Sequence, residues 1–345
     1  MSAERNAPAA ASDEPRRPRR LLGRVLIGVL LGVVIYVGWL LYTDVDRVAA
    51  ALAGYRWRYV AAALGLSSVN YLLRFLKWEL CLGWLDVRGD GPEDAKHLTR
   101  GRSLLIYLAG LSMSVTPGKV GEVLRSGLLR TTDGVSFART APIVIADRLT
   151  DFVALVLLSL VGVARYREYL PVVAVSIALV ILGVVILGSP RLCGALLLWV
   201  AKIPGLTRLA GGVRRIVDSS ALLMRLRYLG ALTVVSVVGW GLECVGYYLV
   251  LHGFVGVEAS LPLCVFLWAV TTLIGALSFL PGGLGATEGS LALLVAGLAV
   301  GVSDVIAAAS TVLIRACTLW YGELVGAAAL LVLTRSRAFR ASERS

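Results

Sequence analysis

Six apolar runs constrain this chain more than any other feature. They occupy residues 21–42, 58–81, 141–163, 170–188, 229–252 and 305–333. Each is long enough to cross a hydrocarbon core of about 30 Å as a helix. In lipid, only helices and closed barrels satisfy their own backbone hydrogen bonds, so the runs predict an all-α polytopic membrane protein. Composition agrees: 58% of the 345 residues are hydrophobic and 16% charged, against roughly 45–50% and 25% in soluble domains. Residues 1–20, rich in Ala, Pro and Arg, read as a disordered cytoplasmic tail. The run 21–42 can span and no small-residue cleavage site follows at once, so it is expected to stay as the first span.

Two further apolar stretches are interrupted. "SVTPGKVGEVLR" (114–125) breaks 103–130 with Pro117, Gly118 and Gly121. "SFLPGGLGATEG" (278–289) breaks 261–301 with Pro281, Gly282, Gly283 and Gly285. The arms of the first hold only about a dozen apolar residues, too few to span, so 103–130 reads as a re-entrant hairpin. The longer arms of 261–301 leave a hairpin and a pair of spans both open. The total is about six full spans plus two Pro-Gly-broken hairpins, eight or more membrane segments. Pro117 has no N–H to leave unpaired, and Gly118 tolerates a left-handed backbone.

Basic residues set the orientation. Segment 189–228 carries Arg191, Lys202, Arg208, Arg214, Arg215, Arg225 and Arg227 against Asp218 alone, and five arginines lie in the first 20 residues. Both termini and 189–228 are therefore assigned to the cytoplasm, with 334–345 as a second tail. The external segments hold only Arg47, Arg56, Arg58, Arg165 and Arg167. A net charge of +12, clustered between apolar runs, fits anionic membrane headgroups rather than nucleic acid. Residues 204–228 mix Arg with Leu222, Leu223 and Met224; they read either as an amphipathic helix on anionic inner-leaflet lipid or as a basic linker. No loop is large enough for a soluble catalytic domain.

The two breaks align. Ser114, Pro117, Gly118 and Gly121 match Ser278, Pro281, Gly282 and Gly285, each 164 positions later. An acid follows each break, Glu122 and Glu288, and then a long apolar run bearing an arginine, Arg148 and Arg315. A span precedes each break. By the charge count the first copy starts outside and the second inside. Halves at about 58–163 and 229–333 are therefore inverted repeats, a plan shared by many secondary transporters.

The stretch from "PGKVGEVLR" to "DRLTDFVALVLL", with the later "PGGLGATEG", resembles the lysylphosphatidylglycerol synthase transmembrane region, also called the flippase-like domain family, over roughly residues 21–333. Members of that family are linked to aminoacylated phospholipids, glycan-carrying polyprenyl lipids and hopanoids. The synthases add a soluble aminoacyl-transfer domain that this sequence lacks, so the resemblance does not carry synthase activity over.

The intramembrane charges are the candidate substrate-binding residues. A half-helix beginning near Lys119 offers free N–H groups to a phosphate, and Lys119 adds a full charge; Glu122 and Arg125 follow on the same segment. A kinked helix in a packed bundle is the bland alternative, and a Walker A loop fails because Val120 follows Gly118-Lys119 without the upstream glycine. Asp147, Arg148 and Asp151 lie deep in their span, where each charge costs at least about 2.5–3.5 kcal/mol. Two readings stay open. Arg148 and Arg315 are symmetric phosphate ligands tuned by Asp147, Asp151 and Glu288, or all five form a structural ion-pair network. Arg74 and Lys77 are read as snorkelling to the cytoplasmic edge. Glu243 and Glu323 have no assigned partner, and Gly322 and Gly326 suggest a close helix crossing.

No metal or cofactor is expected, since the five cysteines are isolated and the chain has only two histidines. The leading expectation is a non-enzymatic, flippase-like lipid transporter of the plasma membrane for a phosphate-bearing or otherwise polar headgroup. The alternatives are an intramembrane enzyme acting on lipid-linked substrates and a scaffold for a separate lipid-modifying enzyme.

Overall fold

The computed structural model describes residues 45–88, 98–116, 123–164, 166–200 and 213–335. The expected first span, both tails and Pro117, Gly118, Lys119, Gly121 and Glu122 of the first break lie outside the described residues. The described residues form twelve helices and no strand: α1 (Val45–Ala53), α2 (Arg58–Trp84), α3 (Arg100–Leu111), α4 (Leu124–Asp133), α5 (Phe137–Val163), α6 (Leu170–Gly188), α7 (Pro190–Val200), α8 (Val213–Leu223), α9 (Leu226–His252), α10 (Leu261–Leu277), α11 (Ala286–Leu298) and α12 (Asp304–Arg335). Local chemistry marks several ends. Thr99 and Ser260 cap the first turns of α3 and α10, Ser303 caps α12, and Gly134 closes α4 with a left-handed backbone.

Five of the expected spans appear, as α2, α5, α6, α9 and α12. By length and composition α2, α6, α9 and α12 can cross a membrane. The helix α5 matches α2 in length at 27 residues but carries Asp147, Arg148 and Asp151 inside it.

A long–short–short–long order runs through α2–α5 and returns in α9–α12. The two opening helices pack together and run antiparallel. At one end the Arg56 N–H donates to the Gly253 carbonyl at 3.0 Å; at the other, the Trp84 and Tyr228 rings lie 4.5 Å apart. The hairpins also cross between halves. Helix α3 of the first hairpin packs on the last part of α12, and α10 of the second hairpin packs on α5. Antiparallel first helices are compatible with the expected inverted repeat.

The second break resolves the choice left open by its sequence. Helices α10 and α11 have 17 and 13 residues, about 25 and 20 Å at 1.5 Å per residue, both short of the hydrocarbon core. They form a broken hairpin, like α3 and α4. The turn uses its glycines as expected: Gly282, Gly283 and Gly285 have φ of 60°, 68° and 84°, a region that side chains disfavour. The helix α12 is not regular either. Ala316–Trp320 forms a π turn, whose Thr318 carbonyl accepts the Tyr71 hydroxyl at 2.5 Å.

An amphipathic helix does form within 204–228, as α8, but its apolar face is covered by protein. Ile216, Val217 and Leu223 are buried, and α8 packs on α5 and α7. Among the described residues nearby, the exposed large apolar side chains are Leu192, Leu196, Leu198 and Trp199 of α7 and Leu226 at the start of α9.

Candidate functional site

Half-way along the bundle, a cavity of about 260 Å³ opens between the two repeat halves. Tyr71, Asp151, Trp240 and Leu319 line it, and each falls within about one residue of the middle of its long helix. At about 1.5 Å of rise per residue, that is roughly 20 Å from either end of the 27-residue helices. Both hairpins reach this depth. Ser114 and Gly282 line the cavity, and a Cβ on Gly282 would come within 3.4 Å of the Val115 Cα, so the hairpin tips touch.

Charged groups crowd one side. Arg74 Nη2 of α2 meets Asp151 Oδ2 of α5 at 2.8 Å. Lys77, one turn further on, binds both the Asp147 carboxylate and Asp151 Oδ1, the latter at 3.1 Å. Its Nζ also donates to Ser236 Oγ of α9 at 2.7 Å, and that hydroxyl donates to Asp151 Oδ1 at 3.0 Å. Arg148 Nη2 lies 3.2 Å from Asp147 and 3.3 Å from Asp151. From α4, Arg125 reaches Asp147 at 3.7 Å and lies over the Tyr107 ring at 4.2 Å. Only a glycine at 110 lets it pass: a Cβ there would sit 2.3 Å from the Arg125 side chain. Among the described residues, four cations thus surround two carboxylates.

The snorkelling reading of Arg74 and Lys77 is therefore corrected. Lys77 is 2% exposed and Arg74 9%; both turn inward because Asp147 and Asp151 offer partners that lipid does not. The sequence holds a signal for this. Ser67, Asn70, Arg74 and Lys77 recur at helical spacing and are all buried, a polar stripe in an otherwise apolar helix that has to face protein or water.

Arg148 and Arg315 do not occupy equivalent environments. Both line the cavity, but Arg315 clamps the second break. Its Nε donates to Glu288 Oε1 at 2.6 Å and its Nη2 to the Gly282 carbonyl at 2.8 Å. Glu288, fully buried, accepts the Gly285 N–H on its other oxygen at 2.7 Å. Pro281, Gly283 and Gly285 belong to the same turn. Glu323 does a related job for the first hairpin, accepting the Val115 N–H at 2.9 Å. Arg148 has the more open side chain, 21% exposed against 9% for Arg315.

The opposite wall was not foreseen. Glu243 of α9 accepts Asn70 Nδ2 at 2.6 Å and Trp268 Nε1 at 3.3 Å. Trp240 carries the Arg74 guanidinium over its ring at 5.0 Å. With Tyr71 and Phe152 these residues give the cavity aromatic sides. The partners of Glu243 come from helices 173 and 25 residues away in sequence, and spacing alone does not reveal such contacts. Gly322 and Gly326 are a close crossing as expected: a Cβ on Gly326 would lie 2.2 Å from the Ser112 backbone nitrogen.

A model of the family described as the lysylphosphatidylglycerol synthase TM region matches residues 25–326. No curated protein matches the chain.

Proposed function

Because the chain belongs to the lysylphosphatidylglycerol synthase transmembrane-region family, we propose that this multi-pass membrane protein is a non-enzymatic lipid transporter. It moves a lipid with a phosphate-bearing polar headgroup across the plasma membrane. The mid-depth cavity carries this reading. Residues of both halves of the chain line it, among them Ser114 and Gly282 beside the two breaks and Arg74, Arg148 and Arg315. Arginine suits phosphate through paired N–H donors, and of the three Arg148 is the most open. Asp147 and Asp151 hold Arg74 and Arg148, and Glu288 holds Arg315, while rocking of one half against the other exposes the cavity to each side in turn. In this reading both termini are cytoplasmic and the basic segment 189–228 faces anionic inner-leaflet lipid.

Reconstituted vesicles with fluorescent phosphate-bearing lipids test the proposal. Movement of unaltered lipid between leaflets supports it. Formation of a new lipid product would favour an intramembrane enzyme. Neither result, in protein that retains its fold, would leave a scaffold for a separate lipid-modifying enzyme.

A further inference from the structure

The cavity has a side window. Helix α6 is fastened at two levels. Near its start, Val173 is buried in the same apolar cluster as Phe266, and the Tyr169 ring lies 5.8 Å from the Phe266 ring of α10. Further along, Gly183 closes on Leu149, where a Cβ would sit 3.1 Å from its Cδ1. Gly188 is in turn close to Met224, 3.7 Å by the same measure. Between these levels Leu179 lines the cavity and is nonetheless 43% exposed. Phe279 and Leu280 also line the cavity and are 74% and 45% exposed. The three residues form an apolar rim at the depth of the arginines. Phe279 has φ 54°, a left-handed backbone that is an outlier for a bulky residue and that leaves its ring on the rim.

Size decides what the rim is for. At about 260 Å³ the cavity is smaller than the roughly 300–1,000 Å³ of pockets that enclose a drug-sized ligand. That suits a headgroup better than a headgroup together with its acyl chains. A charged headgroup beside Arg148 needs the cavity, and its chains need the bilayer. Among the described residues that line the cavity, the exposed large apolar side chains are those of Leu179 and of Phe279 and Leu280, and the gap between them is its candidate opening to lipid.

We propose that this gap is a lateral portal, and that its occupant is the acyl chains of the lipid whose headgroup sits in the cavity. The chains remain in the bilayer and slide past Phe279 while the headgroup crosses. This inference rests on the transport reading above, but it makes a separate claim about where the chains lie.

Two measurements test it. In the first, F279C and V255C proteins are reconstituted in phosphatidylcholine vesicles with fluorescent phosphatidylglycerol and modified with a bulky maleimide. The five native cysteines are buried, and Val255, 69% exposed, lies in a loop away from the cavity. Modification at 279 is expected to abolish whatever transport the unmodified F279C protein shows, and modification at 255 to leave that of V255C unchanged. Full transport by modified F279C protein overturns the portal and leaves the transporter reading intact. In the second, a photoreactive phenylalanine is placed at 279 or at 293, where Leu293 is 78% exposed on α11. Lipids captured at 279 are expected to be enriched in phosphatidylglycerol over those at 293, and to lose the enrichment with R148Q. Equal lipid composition at the two positions overturns the portal. This arm still decides the matter if no transport is seen, a result that would count against the transporter reading alone.

Discussion

Replacing Arg315 and Arg148 separates a residue that holds the fold from one that holds a ligand. Arg315→Ala removes the partner of Glu288, which is fully buried, and the donor to the Gly282 carbonyl. Stranding a buried carboxylate costs about 3–5 kcal/mol, and the orphaned carbonyl adds about 1 kcal/mol. Arg315→Lys keeps the charge and loses one of the two contacts, so its expected cost is only about 1 kcal/mol. Arg148 differs. Without it Asp147 still has Lys77 and Arg125, and Asp151 still has Arg74 and Lys77. Arg148→Ala should therefore cost about 1 kcal/mol in stability. Its effect on transport should be larger, since both Arg148→Ala and Arg148→Lys lose paired donation to phosphate. Losing a charge-assisted hydrogen bond of about 1.5–3 kcal/mol corresponds to ten-fold or more in lipid binding. The assay pairs melting temperature in detergent with lipid transport in vesicles. An Arg148→Lys protein that transports normally, beside an Arg148→Ala protein as unstable as Arg315→Ala, would refute the division of roles and make both arginines structural.

Three further outcomes follow from the same geometry. Lys77→Met removes a buried cation shared by Asp147 and Asp151 and should lower stability by about 3–5 kcal/mol; an unchanged melting temperature would mean that Arg74, Arg125 and Arg148 suffice. Gly326→Ala puts a methyl against the Ser112 backbone and should cost about 1–3 kcal/mol, whereas Gly241→Ala, with nothing within 4 Å, should be neutral; equal melting temperatures would contradict the close crossing of α12 and α3. A cysteine at Glu258 should react with an impermeant maleimide added to intact cells, and labelling only after permeabilisation would reverse the proposed orientation.

The elements that carry long, uninterrupted periodicity were legible from the sequence. Spans at 58–81, 141–163, 170–188, 229–252 and 305–333 correspond to α2, α5, α6, α9 and α12, and the Pro281–Gly285 break is a hairpin tip whose glycines adopt positive φ. Pairing was less legible. Arg74 and Lys77 near one end of α2 satisfy the snorkelling rule equally well on paper, and only packing on α5 shows that acids are closer than water. Glu243 needed Asn70 and Trp268, partners brought together by folding rather than by spacing. Arg148 and Arg315 occupy matching places in the repeat, yet their surroundings diverge because Glu288 sits inside its own hairpin turn, beside Gly285.

The π turn at Ala316–Trp320 makes the spacing along α12 a matter of residue count. Upstream of it, Arg315 points to the second hairpin; downstream, Gly326 presses on the first. A uniform α-helix advances about 100° per residue and would not present both positions on the faces where they now lie. Deleting one residue between 316 and 320 would let the turn tighten to α geometry and absorb the loss, leaving Gly322 and Gly326 facing Tyr71 and Ser112. Within those five positions the helix should tolerate the loss of one residue, which the regular turns on either side of it should not.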